Sequence, residues 1–108
     1  MGKKNYAVLT GDIVRSRDLS AGQSKKLQDL LKSEASEFDR VFSGSIAGGL
    51  GITRGDGWQV VLQKPEYAFR FALFLRAVVK SEFKTDSRVS IGIGRVERLE
   101  TGNIIEST

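Results

Sequence analysis

Thr53-Arg54-Gly55-Asp56-Gly57-Trp58 is a polar turn set between two apolar runs, residues 45–52 and 58–63. Asp-Gly between alternating apolar residues predicts a β-hairpin, because glycine reaches positive φ without a Cβ clash. Asp56 is then expected at or beside the hairpin tip. One other acid stands in an apolar strand pattern: Asp12, in Tyr6-Ala7-Val8-Leu9-Thr10-Gly11-Asp12-Ile13-Val14. A fold that brings the end of this first strand to the hairpin brings two carboxylates together.

The rest of the chain says which fold that is. After the strand at 6–14 comes a polar connection, Arg15 to Leu19. Ser20 and Gln23 then have the Ser-x-x-Gln form of a capping box, which starts a helix. Leu27, Leu30, Leu31, Ala35, Phe38, Val41 and Phe42 follow at helical spacing, so this helix should end near Gly44. The two hairpin strands come next. Pro65 and Glu66 suit the first turn of a second helix. It reaches about Phe83, with Ala68, Phe71, Ala72, Leu75, Val78 and Val79 as its main apolar face. A last alternating strand spans 88–96, and the tail beyond has one short apolar pair, Ile104-Ile105.

The order β-α-β-β-α-β predicts an α+β ferredoxin-like sandwich, an antiparallel sheet with both helices on one face. Right-handed crossovers give the strand order 4-1-3-2. The C-terminal end of the first strand then lies at the hairpin edge, beside Asp56. Parity places Ile46, Leu50, Ile52, Val60, Leu62, Val89, Ile91 and Ile93 under the helices. The opposite face shows Thr10, Asp12, Ala47, Gly49, Gly51, Gln59, Gln63, Ser90, Gly92 and Gly94. So many glycines either leave a low surface for a flat ligand or mark bulges.

Composition narrows the chemistry. At 108 residues the chain is one domain. It has no cysteine and no histidine, which removes thiol chemistry, the commonest general base and zinc sites of the usual kind. A bound metal must use oxygen ligands, which favours magnesium or manganese. The net charge of +4 fits phosphate-bearing partners and equally fits a solvated basic surface. No apolar run approaches the roughly 20 residues of a membrane helix, and no signal core follows Met1. A cytoplasmic location is expected.

Thr10-Gly11-Asp12-Ile13-Val14 followed by Thr53-Arg54-Gly55-Asp56-Gly57 resembles the nucleotidyl-cyclase superfamily, class III adenylate/guanylate cyclases and GGDEF proteins among them. Ser90-Ile91-Gly92-Ile93-Gly94 is similar to their Ile-Gly-Ile strand. Gly11 to Arg17 also resembles the opening of SatD-type bacterial proteins, with Arg15 where that pattern has glycine. The resemblance implies a palm-like βαββαβ core and Mg2+ or Mn2+ on Asp12 and Asp56, with Ile13 a further ligand position. It implies a nucleoside triphosphate as partner. Arg15, Ser16 and Arg17, between the metal strand and the first helix, are the phosphate-contacting candidates.

There are departures. The resemblance puts a purine-reading lysine or glutamate at the position of Ile52, and its transition-state Asn and Arg on a later helix. The expectation is therefore the N-terminal half of a longer family protein, binding metal and nucleotide and degenerate in catalysis. A non-catalytic regulatory domain of the same fold, with a transcription-related role, is the alternative. An RNA-binding module is a weaker one, since Arg54 to Val61 half-fits an RNA-recognition signature but holds Asp56, Trp58 and Val61 at its aromatic positions. In the second helix, Phe69 and Leu73 lie off the main apolar face. They predict a homodimer contact or cover by a C-terminal half.

Overall fold

A computed structural model of the chain describes residues 5–53, 57–100 and 103–107, the part from 95 onward by its backbone. Strand β1 (Asn5–Ile13) leads through a 3-10 turn (Ser16–Asp18) into helix α1 (Ala21–Val41). Strands β2 (Ile46–Thr53) and β3 (Gly57–Leu62) form the hairpin. A second 3-10 turn (Pro65–Tyr67) opens helix α2 (Ala68–Phe83), and strands β4 (Ser87–Glu100) and β5 (Asn103–Ser107) close the chain. The sheet order is β2-β3-β1-β4-β5, with every neighbouring pair antiparallel. The expected ferredoxin-like order 4-1-3-2 is there, with β5 added outside β4. The Ile104-Ile105 pair belongs to that added strand, and β4 runs four residues past its expected end at 96.

Local sequence explains the helix ends. Ser20 Oγ accepts from Gln23 N at 3.1 Å and Gln23 Oε1 accepts from Ser20 N at 2.9 Å, the expected capping box. At the far end of α1, Asp39 Oδ1 accepts from Ile46 N at 2.8 Å and ties the helix to the start of β2. Pro65 begins the 3-10 turn, where its missing N–H costs nothing. Lys84, left-handed at φ 52°, ends α2 by donating to Lys80 O at 3.1 Å.

The core lies between the helix pair and one face of the sheet. Leu27, Leu31, Ala35 and Phe38 on α1 meet Phe71, Leu75 and Val79 on α2 above Ala7, Leu9, Trp58, Val60 and Leu62. Phe38 and Phe71 cross edge to face with centroids 5.0 Å apart. The glycine alternatives resolve in part at Gly48 and Gly49. Both have positive φ, and the β2–β3 register shifts between Ala47 and Gly51, so this pair forms a bulge.

Two apolar expectations need correction. Ile91 and Ile93 face the helix side, since they pair with buried Leu9 and Ala7. Yet they are 42% and 58% exposed. Their side of the sheet is as expected; the helix layer centres on β3 and β1 and does not reach them. Val41, grouped with the apolar face of α1, is exposed where the helix ends. Phe69 and Leu73 are 69% and 51% exposed, as the helical geometry required.

Candidate functional site

The site is built at the C-terminal end of β1. Asp12 pairs with Gly57 on one side and Arg88 on the other. Its neighbours Gly11 and Ile13 share the helix-side parity, so its carboxylate belongs to the opposite, open face with Thr10. The side chain is 48% exposed, and its Oδ1 accepts from Arg88 Nε at 2.8 Å.

A dense arrangement beneath fixes this acid. A Cβ on Gly11 would lie 2.4 Å from Arg88 O and 2.5 Å from the Trp58 ring, so no other residue fits there unshifted. Trp58 is 1% exposed, and its Nε1–H donates to Ser87 Oγ at 2.9 Å. The Ser87 hydroxyl in turn approaches Asp12 O at 3.0 Å and Arg88 O at 3.1 Å. With its one N–H committed and its face in the core, Trp58 offers no stacking platform to RNA. Beyond the strand, Val14 N donates to Asp86 O at 2.8 Å and Thr85 Oγ1 donates to Val14 O at 2.6 Å. Asp86 accepts both Arg76 Nε and Nη2, at 3.0 and 2.7 Å, and Ser87 N at 2.8 Å. The Arg76 hydrogen bonds hold its carboxyl well below the usual range, at about 2, against a smaller opposing effect of burial.

The sequence-derived candidates distribute as follows. Thr53 pairs with Gly57 and closes the hairpin, and Gly57 is the strand partner of Asp12. The hairpin end therefore meets the end of β1. Asp56, with Arg54 and Gly55, lies outside the described residues. Ile13 has a hydrocarbon side chain, buried in the core, so only its main-chain carbonyl could serve a metal. Arg15 and Arg17 are exposed on the connection after β1, with Ser16 between them and partly buried. Arg15 is left-handed at φ 57°, and the 3-10 turn forms through Asp18 N to Arg15 O at 2.9 Å. Ile52 pairs with Trp58 and brings no hydrogen-bonding side chain. Sequence reading missed Arg88; only the strand register, seventy-six residues from Asp12, reveals it. On the open face Gln59, Thr10 and Ser90 lie side by side, with Gly51 beyond Gln59.

For a divalent cation, the donor chemistry is oxygen only. Asp12 supplies one carboxylate and the strand end supplies carbonyls. Among the described residues no three or more Asp, Glu, His or Cys side chains gather into a metal-holding group. The set fits a cation if a second carboxylate arrives from the hairpin tip.

No family model matches the chain, and no curated protein matches it. Its fold is that of adenylate/guanylate cyclase domains. It is similar to the guanylate cyclase domain of RhGC from Catenaria anguillulae, solved with GTP: TM-score 0.58, 18% identity, 86% of this chain and 57% of that one. It is similar to an adenylate/guanylate cyclase/hydrolase from Silicibacter pomeroyi: TM-score 0.64, 23% identity, 97% of this chain and 64% of that one. A dimeric guanylyl cyclase domain of the RhoGC fusion protein from Blastocladiella emersonii gives TM-score 0.61 and 16% identity over 95% of this chain and 67% of that one. The chain thus spans about three-fifths of the cyclase structures it matches. Among the described residues no helix is long and apolar enough to cross a membrane.

Proposed function

We propose that this domain binds a nucleoside triphosphate with Mg2+ or Mn2+ at the end of β1. One observation carries the reading: in a sheet of cyclase order, Asp12 is the strand partner of the residue that closes the β2–β3 hairpin. Asp12, the Ile13 carbonyl and Asp56 are the proposed metal ligands. Arg15, Ser16 and Arg17 are the proposed phosphate contacts. When bound, the cation neutralises phosphate charge and polarises an attacking oxygen. The chain's own part is to position: Gly11 and Trp58 fix the strand end, and the exposed arginines add charge complementary to phosphate. The cyclase structures run longer than this chain, so the activity we assign to it is binding.

A second reading has its own observation. Arg88 Nε donates to Asp12 Oδ1 at 2.8 Å, which gives the carboxylate a cationic partner from the chain itself. That supports a regulatory domain that keeps the fold without the chemistry.

Thermal melting distinguishes the two. Mg2+ with ATP or GTP at 100 times its dissociation constant adds about 2.7 kcal/mol. Asp12→Asn and Asp56→Asn should each abolish that shift. A wild-type curve unmoved at millimolar ligand leaves the regulatory reading.

A further inference from the structure

Three non-glycine residues among those described have positive φ: Arg15 at 57°, Ser43 at 31° and Lys84 at 52°. Two of them, both basic, meet at one corner of the sheet. Arg15 follows β1 and Lys84 follows α2. The β1–β4 ladder ends where Ile13 pairs with Ser87. Two hydrogen bonds carry the pairing one step further: Val14 N donates to Asp86 O at 2.8 Å, and Thr85 Oγ1 donates to Val14 O at 2.6 Å. Arg15 and Lys84 are the next residues on either side of this junction. Backbones paired in this way run about 4.8 Å apart, so two long side chains can reach one ligand. Both residues are exposed, as is Arg17 two positions on.

A long basic side chain is a poor choice for this backbone. Left-handed positions favour glycine or asparagine, and other residues there cost stability. Such strain persists where a side chain serves a function. Lys84 gains something from the negative end of α2. Arg15 opens a 3-10 turn, where helix polarity offers a cation nothing. The acids of the corner have cations of their own. Asp86 accepts from Arg76 at 3.0 and 2.7 Å, and Asp12 accepts from Arg88 at 2.8 Å. Asp18 offsets one charge on the turn. Among the described residues the corner therefore keeps an excess of positive charge, which suits a multiply charged anion better than a single carboxylate.

We propose that Arg15, Arg17 and Lys84 form a binding corner for a phosphate chain. Lys84 is the new contact, and it joins the α2–β4 connection to the basic residues that follow β1. For the phosphates of a nucleoside triphosphate this assignment rests on the nucleotide reading; a free polyphosphate brings the same chemistry without it.

Calorimetry tests this with inorganic tripolyphosphate in the absence of metal and, in a second arm, with Mg2+ and ATP. Lys84→Asn removes the charge and suits the left-handed backbone. It should weaken binding of at least one ligand about three- to tenfold, the worth of one charge-assisted contact. Lys84→Arg should retain the affinity. Arg15→Gly should weaken the same ligand while its melting temperature holds or rises as the backbone relaxes. Should Lys84→Asn not fold, Lys84→Gly takes its place. Lys32, exposed on α1 roughly 16 Å along from the helix start, is the control. Lys32→Gln should change neither affinity, which excludes general attraction to the net charge of +4. Asp12→Asn should abolish the Mg2+-ATP arm and spare the metal-free one. Weakening with Mg2+-ATP, alone or in both arms, assigns the corner to the nucleotide. Weakening with tripolyphosphate alone assigns it to a free polyphosphate, and this result stands even where Mg2+-ATP does not bind, so the two readings fail separately. If neither affinity depends on Lys84, or if Lys32→Gln costs as much, the corner is not a site.

Discussion

Arg88 Nε stands 2.8 Å from Asp12 Oδ1 across the β1–β4 pair, so the acid proposed to hold a cation already faces one. A divalent ion at Asp12 must compete with the guanidinium. Arg88→Met should therefore tighten Mn2+ binding in the absence of nucleotide by roughly two- to fivefold, the worth of a half-exposed ion pair. Calorimetry with Mn2+ alone checks this. Weaker binding in the variant would mean that Arg88 organises the site instead of blocking it.

Gly11→Ala should destabilise the domain by on the order of 3 kcal/mol, because the new methyl meets the Arg88 carbonyl and the Trp58 ring below contact distance. Urea unfolding measures it. A loss under 0.5 kcal/mol would show that the strand end shifts freely, which would also weaken the case for a positioned Asp12.

Ser87→Ala leaves the Trp58 indole N–H buried with its acceptor gone, a loss of roughly 1–3 kcal/mol. Adding Trp58→Phe removes the stranded donor, so the hydrogen-bond part of the loss should not count twice. A double-mutant cycle in urea reads the coupling, and strict additivity would show that the two side chains do not interact.

The Arg76–Asp86 pair gives a pH signature. The folded carboxyl titrates at about 2, below its ordinary 3.8, so it binds protons less readily folded than unfolded. Its stabilisation is complete above about pH 4 and is lost as pH falls through 2. Arg76 is half exposed, so solvent screening holds the contribution to about 1 kcal/mol. Asp86→Asn should flatten the melting-temperature profile between pH 4 and 2 while leaving its slope above pH 5 unchanged.

Phe69 and Leu73 leave an apolar strip on the solvent side of α2. The chain is expected to self-associate through it, and Phe69→Ser with Leu73→Ser should shift sedimentation toward monomer. A wild-type chain that sediments as a clean monomer at high concentration would exclude this contact.

What the sequence disclosed depended on range. The Ser20–Gln23 capping box spans three residues and was legible outright. The order of the first four strands followed from connection rules applied to the element pattern. The parity of Ile91 and Ile93 was legible too, but their exposure depends on where two helices lie over five strands, which no strand pattern encodes. Gly11 reads as an ordinary strand glycine until the Trp58 ring lies against it. The Asp12–Arg88 pair needs the register of strands far apart in the chain. Asp56 lies outside the described residues, so its meeting with Asp12 stays a proposal that the hairpin register supports.

The bulge at Gly48 and Gly49 has a bearing on how copies of this sheet can meet. β2 is one outer strand, and its main-chain donors and acceptors would otherwise form a straight row open to another strand. Two consecutive residues at φ 77° and 82° break that row near its middle. A neighbouring molecule cannot continue the sheet across β2 without leaving main-chain groups unmatched, so the bulge protects this margin against edge-to-edge stacking and amyloid-like growth.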